Sequence, residues 1–335
     1  MASGNAEPNW AWLGLLKWSL SYTDGTSDNK DVSPMSKEDR EFLEEVMKDG
    51  IIDEGKRMNH ILTELTNGIQ SLKDGGDVVP KSVNEEEMVE YLEELRDIVE
   101  QIDYAKAFAA MGGLTFLLGC ASEPTQVIPT NIKSHCLGVL ATLCQNNPSV
   151  QYNLLELGAM KTLVTLYVSS SQIQIQPKVV QTLSCMIRNH AMAEHIFCQD
   201  EMSIQVLESG LGLTSTTTTS ALQKRCLFFL QALVTSDTAD EKRLQTLTPC
   251  LNFAVTKFLT CDNVELREMT LSMVIRLFQH KEQQHAQTLT HHTNLLQTIG
   301  TQRISTIQSL TGEELDFAQE ELHHWQTLQS LLAKK

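Results

Sequence analysis

Residues 84–103, NEEEMVEYLEELRDIVEQID, decide the fold. Met88, Tyr91, Leu92, Leu95, Ile98, Val99 and Ile102 recur at three- and four-residue intervals. That spacing gathers them on one face of an α-helix and turns the glutamates to the other. No period-two alternation competes elsewhere in the chain, so the expected class is all-α.

The same stripe returns downstream. Leu95/Ile98, Leu140/Leu143, Leu183/Met186, Leu230/Leu233 and Leu271/Val274 form i,i+3 pairs separated by 45, 43, 47 and 41 residues. After the first two pairs come a glycine turn and another apolar helix, AMGGLTFLLGC with Gly112 and LGAMKTLVTLY with Gly158. A helical period of about 40–47 residues marks armadillo or HEAT arrays, because one helix pair cannot bury its apolar face alone and stacked neighbours can. The expectation is an armadillo/HEAT-like right-handed solenoid of four to five repeats over residues 84–280. The polar stretches ASEPTQVIPTN, SSSQIQIQP and TSTTTTS read as loops between units.

Beyond the array the pattern loosens at both ends. Residues 281–335 read as a divergent helical cap, with Leu310, Leu315, Phe317, Leu322, Trp325, Leu328 and Leu331 apolar and Trp325 a packing residue. Residues 34–83 read as a short helical segment. Ser36 and Asp39 have capping-box spacing, a second helix spans about Ile51 to Leu72, and Gly75, Gly76 and Pro80 break it. Residues 1–33 read as a leader: an apolar segment carrying Trp10, Trp12 and Trp18, then the polar linker TDGTSDNKDVSPM. The leader lacks the basic start of a signal peptide, and its apolar run is interrupted by Lys17 and too short to span a bilayer.

The formal net charge of −16 argues against nucleic acid and anionic membrane as partners. Eight cysteines include no CxxC pair and sit mostly among apolar residues, which fits small buried hydrophobes in a reducing compartment. No phosphate-cradling glycine motif, nucleophile elbow or metal-binding helix signature occurs, so neither enzyme chemistry nor a cofactor is expected. His291/His292 and His323/His324 read as surface polar residues, because neighbours on a helix point about 100° apart and grip one ion poorly.

Particular residues then resemble a known family. EQIDYAKAFAAMGG (100–113), LCQNNPSVQ (143–151) and SCMIRNH (184–190) are similar to the first three armadillo units of cytosolic nucleotide exchange factors that bind the 70-kDa heat-shock chaperone. PMSKEDREFLEEVM (34–47) and LLKWSL (15–20) resemble the segments ahead of that array, so the matches run in family order along nearly the whole chain. The family usually has asparagine where Tyr104 stands.

The resemblance implies a monomeric co-chaperone whose concave face embraces the chaperone's ATPase domain and promotes ADP release. It also implies partner contacts at Asp103, Ala105, Gln145, Asn146, Asn147, Arg188 and Asn189, with Ala105 small enough to admit the partner's backbone. The leader, through Trp12, Leu15, Leu16, Trp18 and Leu20, is then a tethered pseudo-client that aids substrate release. Localisation is expected in the cytosol, with the nucleus also open. The competing expectation is a generic armadillo scaffold or importin-like adaptor that grips extended peptides. The lack of tryptophan between residues 19 and 324 counts against it.

Overall fold

The computed structural model describes residues 37–38, 41, 53–73, 84–125, 127–169, 173–280 and 283–333, without the side chains of 283 and 284. Two compact units divide the chain, Met1–Arg57 and Met58–Lys335. In the first, Lys37, Glu38 and Glu41 are helical, Lys37 lies 3.8 Å from Glu41, and Asp53 accepts the Lys56 amide at 3.1 Å.

Regular secondary structure among the described residues is helical. The helices are α1 (Glu54–Lys73), α2 (Glu85–Ile98), α3 (Ile102–Ala110), α4 (Gly113–Ser122), α5 (Thr130–Cys144), α6 (Pro148–Glu156), α7 (Ala159–Ser169), α8 (Gln176–Ile187) and α9 (Ala191–Gln199). They continue with α10 (Glu201–Leu211), α11 (Ser220–Val234), α12 (Glu241–Phe258), α13 (Val264–Gln279), α14 (Gln283–Gln287), α15 (Thr293–Gln308), α16 (Glu313–Phe317) and α17 (Gln319–Ala333). The deciding stretch starts α2 with a complete capping box. Asn84 accepts the Glu87 amide at 2.9 Å, and the Glu87 carboxylate accepts the Asn84 amide at 3.1 Å.

Stacking follows the apolar pairs. α2, α5, α8, α11, α13 and α17 pack one on the next as a ladder, and all five i,i+3 pairs lie buried on its first five rungs. Each rung is preceded by outer helices, giving the triplets α3–α4–α5, α6–α7–α8 and α9–α10–α11 and the shorter pair α12–α13. α4, α7, α10 and α12 make a second, outer file. The buried Thr182 hydroxyl donates to the Leu137 carbonyl at 2.9 Å, tying rung α8 to rung α5. Met58, Ile61, Leu65 and Ile69 of α1 join the same core. The fold is an all-α armadillo-type solenoid.

Three expectations need correction. Residues 123–129, 170–175 and 212–219 run in sequence between the second outer helix and the rung of the same triplet. The connections between triplets are instead tight turns at 145–147 and 188–190. His292 is buried, because its 3₁₀ turn places it beside His291, with rings 4.1 Å apart and both facing the Asn252 amide oxygen. Phe317 is 83 % exposed in the short α16 rather than packed in the cap. Trp325 does pack at 1 % exposure, with its indole N–H donating to Glu321 at 3.2 Å.

Candidate functional site

The tight turns place the candidate residues. Rung α5 ends at Cys144; Gln145 caps it, Asn146 takes φ 53°, and Pro148 opens α6. Rung α8 ends the same way 43 residues later: Arg188 caps it, Asn189 takes φ 61°, and α9 opens at Ala191. Asparagine tolerates this left-handed conformation, which ends a helix and reverses the chain in the space a glycine otherwise serves. Gln145 and Arg188, and Asn146 and Asn189, are therefore equivalent positions on consecutive turns. Gln145, Asn146 and Asn189 are exposed and Arg188 is half-buried.

Asp103 is also exposed, 3.9 Å from Lys106, but it sits in the first turn of α3 rather than on a rung's end. Two expected contact residues are corrected. Ala105 is 2 % exposed inside α3, and Asn147 is 2 % exposed, so neither offers its side chain to a partner. The Asn147 amide finds no hydrogen-bond partner among the described residues. Tyr104 is half-buried against the core.

Buried polar groups hold the turns. Gln151 donates its amide to the Cys185 carbonyl at 2.8 Å and the Arg188 carbonyl at 3.0 Å, satisfying the open end of the next rung. Glu194 stands 43 residues on, at the equivalent position. It accepts the Asn189 amide at 3.0 Å on Oε1, and Ser236, Thr238 and Arg243 at 2.7, 2.8 and 2.7 Å on Oε2. Arg188 is itself fixed: its Nε donates to the Ser184 carbonyl at 3.1 Å, and the guanidinium lies 4.7 Å from the ring centre of the exposed Phe228 on α11.

Beyond Arg188 the same surface continues onto α13. A cleft of about 460 Å³ is lined by Arg188, Asn189, Phe228, Gln231 and Arg276 among others. With its oxygen turned to Arg276, the Gln231 amide accepts from that guanidinium at 3.3 Å. Sequence reasoning missed Gln151, Glu194, Phe228 and Arg276. Aligning the units on Asn146 and Asn189 would have exposed the first two as polar residues at one shared register.

Among the described residues no three His, Cys, Asp or Glu side chains gather to hold a metal ion. No single described helix is long and apolar enough to cross a membrane. The leader residues Trp12, Leu15, Leu16, Trp18 and Leu20 lie outside the described residues.

Two family models match the chain. The model described as nucleotide exchange factor Fes1 covers residues 13–108, and that of the SIL1/FES1/HPBP1 C-terminal domain covers 104–251. Hsp70-binding protein 1 of Mus musculus is 26 % identical over 190 residues, 56 % of this chain and 51 % of that protein. Its Homo sapiens counterpart is 25 % identical over 176 residues, 52 % of this chain and 48 % of that protein. The match thus spans about half the length of these relatives. Nucleotide exchange factor SIL1 of Xenopus laevis is 25 % identical over 111 residues, 33 % of this chain and 24 % of that protein. Among solved structures, the designed armadillo repeat protein YIII(Dq)4CqI superposes with a TM-score of 0.54 at 15 % identity, covering 80 % of this chain and 99 % of that one.

Proposed function

We propose that this chain, which belongs to the SIL1/FES1/HPBP1 family, is a nucleotide exchange factor for a 70-kDa heat-shock chaperone. The observation that carries the reading is the pair of family matches, which run in order from residue 13 to 251 and include both turn-bearing triplets. The concave face of the solenoid grips one lobe of the chaperone's ATPase domain, with Asp103, Gln145, Asn146, Arg188 and Asn189 at its edge. The protein performs no chemistry and carries no cofactor. It binds the open nucleotide cleft better than the closed ADP state, and it accelerates release by no more than that difference in affinity. A tenfold shift takes about 1.4 kcal/mol.

The leader acts separately, as an apolar pseudo-client that reaches the chaperone's substrate site at high local concentration once the array has docked. The protein works as a monomer in the cytosol or nucleus, and its eight unpaired cysteines support a reducing compartment.

The test is a chase. Chaperone loaded with labelled ADP is mixed with stoichiometric protein and excess ATP, and ADP release is followed in time. Acceleration is expected, and Arg188→Ala reduces it; no acceleration overturns the reading. Deleting residues 1–22 leaves ADP release intact and slows client release, and a deletion that changes neither ends the leader's proposed role.

A further inference from the structure

The three central rungs of the ladder are basic in an acidic protein, whereas its first rung, α2, carries seven carboxylates and one arginine. Of 335 residues 42 are Asp or Glu, and the net charge is −16. Yet the three central rungs, α5, α8 and α11, contain no acidic residue. They hold Lys133, Lys178, Lys224 and Arg225, and Arg188 caps α8. Of the acidic residues of the same triplets, Asp103, Glu156, Glu194, Glu201 and Glu208 sit on the outer helices, and Glu123 and Asp200 in the connections between helices.

The cations share one surface. Arg96 of α2 reaches across to Thr142 of α5, with its Nε donating at 3.3 Å. Burial holds the Lys178 pKa below its ordinary value, and the neighbouring charges of Arg96 and Arg225 lower it further. That repulsion is a cost to the free protein, since like charges crowd where each would be better apart. Arg188, Phe228 and Arg276 extend the strip across α8, α11 and α13 around the cleft, whose lining also includes two carboxylates, Glu194, which is paired to Arg243, and Asp237, which lies 3.6 Å from His280. Some charges are already matched on the spot: Lys224 lies against Glu265, His135 is 3.5 Å from Glu93, and Lys133 is turned inward to Glu123. Arg96, Lys178, Arg225 and Arg276 have no carboxylate within ion-pair distance among the described residues.

We propose that this cationic strip docks an acidic ridge of the chaperone's ATPase domain, with a carboxylate seated in the Arg188–Phe228–Arg276 cleft. The proposal rests on the exchange-factor reading and adds the chemistry of the partner. Phe228 stacked on Arg188 pre-organises the guanidinium, so less side-chain freedom is lost on binding. Repulsion inside the strip is relieved when the acidic ridge arrives. The acidic outer helices repel the same ridge, which directs docking to one face.

The experiment measures binding of full-length protein to the chaperone's isolated ATPase domain at several salt concentrations, alongside the ADP chase. Lys178→Glu and Arg276→Glu are each expected to weaken binding at least about tenfold and to flatten its salt dependence. Lys161→Glu makes the same charge change on the exposed face of outer helix α7 and is expected to leave both unchanged. Circular dichroism melts confirm that the variants fold. If wild-type protein does not accelerate ADP release, the exchange-factor reading itself has failed. If it accelerates release while Lys178→Glu and Arg276→Glu bind as wild type does, that reading stands and the strip proposal is overturned. It is equally overturned if a labelled single-stranded oligonucleotide binds the strip and Arg276→Glu abolishes only that binding.

Discussion

Glu194→Ala should separate what stabilises the 188–190 turn from what the turn presents. Glu194 is 2 % exposed and accepts four hydrogen bonds, one of them from the buried Arg243. Removing the carboxylate leaves the guanidinium of Arg243, at 6 % exposure, with a single 3.3 Å contact, to Thr238, among the described residues. An uncompensated buried charge costs about 3–5 kcal/mol. The loss is read from guanidinium denaturation followed by helical circular dichroism, with amide exchange over residues 188–194 reporting the turn itself. In Glu194→Leu/Arg243→Leu no charge is left stranded, and most of the stability should return, to within about 1 kcal/mol of wild type. The Asn189 amide still lacks its acceptor in that double variant. Both proteins are therefore expected to release ADP from the chaperone more slowly than wild type, although only the single variant is unstable. A single variant that loses less than about 1 kcal/mol would refute the reasoning, as would a double variant whose ADP release matches wild type.

Two further outcomes follow from packing and charge. A Cβ on Gly113 would lie 2.1 Å from the fully buried Phe108 ring, whereas one on Gly119, in the same helix, meets nothing within 4 Å. Gly113→Ala should therefore cost about 1–3 kcal/mol by overpacking, and Gly119→Ala should gain about 0.5–1 kcal/mol of helix propensity, both measured by denaturant midpoint. Burial pushes the Glu321 pKa up, but hydrogen bonds from Arg303, Arg267 and Trp325 outweigh it and hold the pKa below the ordinary 4.5. The unfolded chain then takes up that proton more readily, so the stability Glu321 contributes is complete above its unfolded value and drains away as pH falls through the folded one. The stability difference between wild type and Glu321→Gln should shrink steadily on acidification below about pH 4.5, and a constant difference would contradict the assignment.

The ladder was legible because its signal is a property of each rung alone. Leu140 and Leu143 must face the core whatever their neighbours are, so the i,i+3 pairs mark rung after rung. The turns carried a weaker signal. Polar stretches look like connections between units, yet the chain reverses between triplets in three residues, because Asn146 and Asn189 accept a left-handed backbone that hydropathy does not register. The exposed candidates were found through resemblance, and the two buried ones, Ala105 and Asn147, show its limit. A motif fixes a residue's place in the chain, while the stacking of the next helix decides whether that place is open. Phe228 and Arg276 escaped notice for a related reason: they join the site only when α8, α11 and α13 are brought side by side.

The position shared by Gln151 and Glu194 explains why the candidate surface cannot be read unit by unit. Gln151, on the first helix of its triplet, binds the carbonyl of Arg188 at the end of the rung that closes the same triplet. Glu194 does the same one unit on, collecting Ser236 and Thr238 from the turn after α11. It also holds Asn189 behind it. The 188–190 turn is thus gripped from both sides, by Gln151 of the triplet it closes and by Glu194 of the next, and its geometry depends on how well those two triplets stack. In a solenoid the energy of the fold is a sum of units and interfaces between them. Here the interfaces also set the exposed edge, so a substitution that loosens stacking should move Arg188 and Asn189 before it unfolds the array. Loss of exchange activity without loss of helix content is then the expected signature of damage at Gln151 as well as at Glu194. Gln151→Leu, which fills the same space but leaves the Cys185 and Arg188 carbonyls unpaired, provides the sharpest case.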